Sequence, residues 1–323
     1  MIKKQGFLYS ISIVSLSLSL YFLLTNALTK EESDKQYHAE QLKNYTVYAP
    51  YIPKKIFFAG EEIPIQSFDV YESLDNEMLA NGFWHSQMIR FLKRAHRYFP
   101  IIEPILKKNN IPDDFKYLAV AESALSNAVS PSGAKGFWQF LSKTGKEYNL
   151  VINKEVDERY NLEKTTQAAC DYFNDAYKKY KNWTLVAASY NMGMGGLSRQ
   201  IKQQQVNSYY DLLLNKETSR YVYRIIAIKT LMENPHDYGF RLREDDLYPA
   251  IPVKLVQVDT TINDLVSFAF QQKTNYKILK LLNPWLRKSY LKNIEKRSYQ
   301  IKIPVEGFRT FVDSRKDTSE NLF

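Results

Sequence analysis

From about Leu74 to Arg243 the apolar residues recur three and four apart, and this long helical period is what most limits the folds open to the chain. Trp84, Met88, Phe91, Leu92 and Ala95 lie on one stripe, read as a helix face packed into a core. A second helix opens with Pro112, Asp113 and Asp114, residue types favoured in a first turn by proline's fixed φ and by the positive end of the helix dipole. Its stripe runs Phe115, Leu118, Ala119 and then Glu122.

Glu122 stands where the period calls for an apolar side chain. Burial on such a face disfavours a charged carboxylate, and the negative end of the helix adds to the effect, so the group is expected to hold a proton near neutral pH. A protonated carboxyl in a cleft can serve as a general acid for glycosidic cleavage, where the leaving oxygen must gain a proton as an oxocarbenium-like centre forms. Periodicity alone leaves a plainer alternative equally open, a glutamate at a fraying helix end that points into solvent.

The residues around it carry more. Glu122-Ser123 leads through Ser130-Pro131-Ser132-Gly133-Ala134 to Gly136-Phe137-Trp138-Gln139. A second block is Trp183 to Gly195, with Ser189-Tyr190-Asn191-Met192-Gly193-Met194-Gly195 at its end, an apolar helix stopped by clustered glycines. A third is Glu217-Thr218-Ser219-Arg220-Tyr221-Val222, followed by Pro235 and Tyr238-Gly239-Phe240. In this order and spacing, with Val156-Asp157-Glu158-Arg159 between the first two, the blocks resemble the signature elements of the lytic transglycosylases over roughly Ile56 to Leu242.

That resemblance implies a mainly α chain with a lysozyme-like helical catalytic domain. It implies cleavage of the β-1,4 bond between N-acetylmuramic acid and N-acetylglucosamine in peptidoglycan, leaving 1,6-anhydro-muramoyl ends, with Glu122 as the single acid/base and no metal or organic cofactor. Carried over position by position, Ser130, Gln139, Tyr190, Asn191, Glu217 and Tyr221 would line the sugar cleft or orient the carboxyl, and Ser123 would support the turn. Read without the motif, Tyr190 and Tyr221 are core tyrosines, Glu217 a surface acid and Ser130 a turn residue. Ser189 replaces the family's usual alanine, and Met192 and Met194 stand where small residues are common, which bears on subsite shape.

After Pro249 and Pro252 the pattern changes. Val253 to Val258 is β-prone, Thr261 with Asp264 suggests a helix cap, Tyr276 to Leu282 reads as a second helix ended by Asn283-Pro284, and Tyr299, Ile301 and Ile303 alternate with polar neighbours. This strand-helix-helix-strand order resembles a divergent LysM module, a small α+β unit that binds N-acetylglucosamine-containing glycans. Asn283 fits that pattern, whereas the glycine expected near Val258-Asp259 is missing.

The organisation expected is an export signal or anchor over 1–27, a tether and wrapping arm over 28–73, the catalytic domain over 74–246, the LysM-like module over 250–306 and a tail over 307–323. Lys3 and Lys4 precede an uncharged run from Phe7 to Leu24, the pattern of an export signal, and Thr25-Asn26-Ala27 is a poor but usable cleavage site. The run is just long enough to span a bilayer, so an uncleaved anchor stays open as an alternative. Either way the expected location is the periplasm or cell envelope. The net charge of +9 suits a polyanionic partner such as nucleic acid, an anionic membrane surface or a cell-wall polymer, and charge alone does not choose among these; the resemblance implies peptidoglycan glycan strands, and the N-terminal segment leaves membrane association open. No recognition motif accompanies the lysines, so nucleic acid is not expected as a partner. Cys170 is the single cysteine, which excludes an intrachain disulfide, and it lies in an apolar helical stretch as an expected buried thiol. A competing class is a non-catalytic peptidoglycan-binding scaffold on the same fold. The oligomeric state is not legible.

Overall fold

Ser67 stands in extended backbone ahead of the first helix, α1 (Phe68–Gly82), which buries Val70, Leu74, Glu77, Met78 and Asn81 along one stripe. These positions lie on a computed structural model that describes Lys35 and residues 48–307. The export signal or anchor, nearly all of the tether and the tail beyond Gly307 lie outside the described residues. Among the described residues, no helix is long and apolar enough to cross a membrane.

Seven further helices follow before the C-terminal unit: α2 (His85–Lys108), α3 (Lys116–Ser123), α4 (Ser142–Glu147), α5 (Leu162–Tyr180), α6 (Trp183–Met192), α7 (Met194–Gln204) and α8 (Lys216–Glu233). Asparagines begin three of them: the side chains of Asn161, Asn182 and Asn215 accept hydrogen bonds from the first-turn N–H groups of α5, α6 and α8. Helix α8 is apolar nearly all round, with Tyr221, Val222, Ile225, Ile226, Ala227, Ile228 and Leu231 buried, so it can only be a central helix. It packs against α1, α3 and α6. The positions around Phe115 close the core from another side, where that ring meets Phe58, Phe173 and Trp183 at centroid distances of 5.5, 4.6 and 5.3 Å. Complete burial of a phenylalanine contributes about 2–3 kcal/mol, so this cluster fastens distant parts of the chain together.

Two helix starts differ from expectation. Trp84 does not lie on the buried stripe of α2; it is 53% exposed and sits at the N-cap, while Met88, Phe91 and Ala95 are buried as read. The periodic pattern begins one residue ahead of the regular helix, where the backbone does not yet turn. The wrapping arm packs into the helical core. Its hairpin β1 (Phe57–Phe58) and β2 (Glu61–Glu62) buries Ile56, Phe58 and Ile63 in the main core, and α1 begins at Phe68, ahead of the Leu74 where the period becomes readable. The second helix also starts differently: Asp113–Phe115 forms a 3-10 turn before α3, with Pro112 at its N-cap.

The C-terminal unit consists of β3 (Val253–Val258), α9 (Leu265–Gln271), α10 (Tyr276–Leu282) and β4 (Tyr299–Pro304). The strands pair antiparallel, from Val253 opposite Pro304 to Val258 opposite Tyr299. Asp264 caps α9 through the N–H groups of Val266 and Ser267, and Tyr299, Ile301 and Ile303 point inward onto Leu265, Leu279 and Trp285, as the alternation predicts. The fold is thus mainly α with a small α+β unit at its C-terminal end. Cys170 is free and buried, and burial pushes its thiol up to about 12.

Candidate active site

Glu122 lies in the last turn of α3, which ends because Ala124 and Leu125 both adopt left-handed backbone, φ 55° and 52°. Two consecutive non-glycine residues in that region are costly and need support. Arg94 on α2 donates from Nη1 to the Ala124 carbonyl at 2.8 Å, Ser126 Oγ donates to the Ser123 carbonyl at 2.7 Å, and Leu125 is buried. The turn therefore presents Glu122 at a fixed height above the core.

Glu122 is partly buried as a residue, and burial dominates the surroundings of its carboxyl. Tyr221, 7% exposed on α8, donates its hydroxyl to Glu122 Oε1 at 2.5 Å. Burial pushes the Glu122 carboxyl up from 4.5 to about 7; the Tyr221 hydrogen bond and the Arg224 guanidinium pull it down, and Glu217 adds a smaller upward push. Burial, then the adjacent Glu122 charge, holds the Tyr190 and Tyr221 phenols well above their ordinary value, so both stay protonated donors. A carboxyl near 7 can give a proton and take one back at the same ambient pH.

Each residue singled out from sequence has a definite place. Ser123 Oγ donates to Phe137 O at 2.8 Å and to Ala119 O at 3.1 Å, which ties the end of α3 to the following loop. Ser130 Oγ accepts the Ala134 N–H at 3.0 Å, and the Gln139 amide donates to Ala128 O at 3.1 Å and Gly136 O at 2.7 Å; both side chains build the 128–140 loop. Tyr190 donates to Trp138 O at 2.6 Å, so the loop also hangs from α6. Asn191 donates to Glu217 Oε1 at 3.1 Å and accepts from the buried Thr218 hydroxyl at 2.8 Å, which joins α6 to the start of α8. Tyr221 is the one of these residues hydrogen-bonded to Glu122, and the others form the frame around it.

Sequence reading missed three contributors. Arg224 lies one turn beyond Tyr221, and that i, i+3 spacing was the signal for it. Thr218 and Arg94 left no readable trace, since one acts through Asn191 and the other from a different helix. Among the described residues no group of three or more His, Cys, Asp or Glu side chains is placed to hold a metal ion.

Comparison with known proteins follows the same division of the chain. The family model of the transglycosylase SLT domain matches residues 99–213, and that of the soluble lytic transglycosylase C-terminal LysM-like domain matches residues 254–307. The first assigns the helical part to the lysozyme-like fold expected from its motifs. Membrane-bound lytic murein transglycosylase D of Escherichia coli (strain K12) is 31% identical over 159 residues, which cover 47% of this chain and 35% of that protein. Its namesake from Escherichia coli O6:H1 matches to the same extent, so the chain spans about 35% of the length of these curated relatives. A solved structure of an inactive mutant of lytic transglycosylase Slt from Pseudomonas aeruginosa aligns at a TM-score of 0.36 and 15% identity, over 47% of this chain and 26% of that one, too distant to bear on the fold. Residues 99–213 are therefore a transglycosylase SLT domain and residues 254–307 a LysM-like domain of the soluble lytic transglycosylase type, in a chain homologous to membrane-bound lytic murein transglycosylase D.

Proposed function

We propose that the protein is a lytic transglycosylase that cleaves the β-1,4 bond between N-acetylmuramic acid and N-acetylglucosamine in peptidoglycan and leaves 1,6-anhydro-muramoyl ends. The observation that carries this reading is the Glu122 carboxyl, raised to about 7 in a walled site and oriented by the Tyr221 hydroxyl. In its protonated form it gives its proton to the glycosidic oxygen as the C1–O4 bond breaks. The resulting carboxylate then takes the proton of the muramoyl 6-hydroxyl while O6 bonds to C1. Glu122 ends as it began, and the intramolecular nucleophile takes the place of an activated water. Ser130, Gln139, Tyr190, Asn191 and Glu217 line or frame the sugar groove, with Ser123 beneath the turn.

In this reading residues 74–246 are the catalytic domain, joined by the arm within 28–73, and residues 250–306 are the module that meets wall glycan. Residues 1–27 direct the protein to the cell envelope, as an export signal or as an anchor in the membrane, and 307–323 form a tail. The test is digestion of purified sacculi by the wild-type protein and by Glu122→Gln, with the released muropeptides identified by mass. Wild type is expected to yield anhydro-ended fragments and the variant none. Reducing ends alone would make the protein a hydrolase, and sacculus binding without any cleavage would make it a wall-binding scaffold.

A further inference from the structure

We propose that the LysM-like module is a fixed brace of the active-site loop as well as a glycan-binding unit, acting through the strap at residues 155–160 with Arg159 as the positioning residue. One side of the strap belongs to the module. Val156 and Tyr160 are buried in the module's own core beside Leu286 and Tyr299, and Val156 forms a β-bridge with Leu286. The Asp157 N–H donates to Trp285 O at 2.9 Å, the Arg287 N–H donates to Glu155 O at 2.7 Å, and the Arg287 guanidinium lies 4.4 Å from the Tyr160 ring centroid. Lys302 on β4 pairs with Glu163 at 2.5 Å, and the Lys292 N–H donates to Glu155 at 2.9 Å. The connection into the module is held as well: Tyr248 lies between Lys93 and Arg97 of α2, and Arg97 donates to Pro249 O at 2.9 Å. A module on a free tether would make none of these contacts.

The other side of the strap grips the catalytic loop. Arg159, 4% exposed, clasps Asp157 with two hydrogen bonds of 2.9 and 2.8 Å and reaches with Nη1 to Gly133 O at 3.1 Å and Phe140 O at 3.3 Å, the inner turn and the far end of the 128–140 loop. Between them Gly136, at φ +80°, lies so close to the strap that an added Cβ would stand 1.8 Å from Arg159 O. The same loop offers Phe137 O to Ser123 and Trp138 O to Tyr190, the neighbours of Glu122 in sequence and in space. Contacts therefore run without interruption from Trp285 and Arg287 to the walls of the site.

The test combines Arg287→Ala with Lys302→Glu, which loosens docking without touching the module's apolar core. It rests on the proposed activity in one arm only. Amide hydrogen exchange across residues 128–140 of the full chain is expected to quicken by about tenfold or more, and addition of Glu163→Lys is expected to restore protection by re-forming the ion pair. On soluble, uncross-linked glycan strands, which need no wall attachment, kcat is expected to fall by about tenfold to a hundredfold while KM changes by less than about threefold. Unchanged exchange in 128–140 overturns the brace, whether or not the strap itself opens. An inactive wild type would refute the enzyme reading and leave the exchange result to decide the brace. Should the double variant fold poorly, Arg159→Lys, which keeps the charge and loses the fork, is expected to quicken exchange in the same loop, and unchanged exchange there refutes the proposal equally.

Discussion

Replacement of Glu122 by glutamine is expected to abolish activity and, above neutral pH, to stabilise the fold. Glu122 is an acid whose native-state value, about 7, lies above its ordinary 4.5. Between those values the native protein binds more protons than the unfolded chain, so the group's contribution to stability is most favourable in acid and is lost as pH rises through that window. At about 1.4 kcal/mol per pH unit, the whole gap corresponds to roughly 3 kcal/mol. Glu122 is only partly buried as a residue, and screening by solvent brings the expectation down to about 2 kcal/mol between about pH 5 and about pH 8.

Urea unfolding of wild type and Glu122→Gln at those two pH values measures it directly. All other titrating groups are common to both proteins, so the difference between the two stability curves isolates Glu122. The variant is expected to be near wild type at the acid end and about 2 kcal/mol more stable at the alkaline end. Parallel curves would refute the reasoning, because they would place an ordinary, solvated carboxylate at the centre of the site.

Tyr221→Phe deletes the hydroxyl that favours ionised Glu122, a bond worth about 1.5–3 kcal/mol to a charged acceptor, so the alkaline limb of the rate profile is expected to move up by about one pH unit as the peak rate falls; a limb that stays or moves down contradicts the assigned geometry. Gly136→Ala places a Cβ against Arg159 O at positive φ and is expected to cost about 3 kcal/mol or more, read as a large fall in Tm with loss of activity. Glu61→Ala strands the Trp183 and Thr184 N–H groups that its carboxylate now accepts at 2.6 and 2.9 Å, an expected loss of about 2 kcal/mol in urea unfolding.

Where one face of one element carried the information, the sequence was readable. The apolar stripe ending at Glu122 singled out a carboxylate on a buried face, although the period alone left a solvent-facing glutamate equally open and the surrounding blocks had to decide for a candidate acid, and the alternation at Tyr299, Ile301 and Ile303 marked β4 because only every second residue faces the module core. What periodicity cannot state is the partner. Phe58 meets Phe115, Glu61 caps α6 and Arg287 covers Tyr160, and each is a contact between stretches far apart in the chain with no repeat to announce it. The arm therefore read only as a wrapping segment, with no sign of which of its residues enter the core. Trp84 failed for the opposite reason: its spacing was helical, but one residue before the first turn a side chain no longer follows the stripe.

The position of Glu122 between burial and its two polar neighbours follows from the double duty proposed for it. Deeper burial would keep the carboxyl protonated and improve the acid, yet the anion formed after bond cleavage would then be too costly to persist while it waits for the 6-hydroxyl proton. A fully solvated carboxyl would make that anion easily and would have no proton to give at neutral pH. The desolvation that comes with burial, opposed by the Tyr221 hydroxyl and the Arg224 charge, sets the group at about 7, where both forms are accessible. In the proposed reading a single residue serves both half-reactions only while its surroundings keep that balance, and the proposed brace acts on it through Arg159, which holds the loop that accepts the Ser123 and Tyr190 hydroxyls.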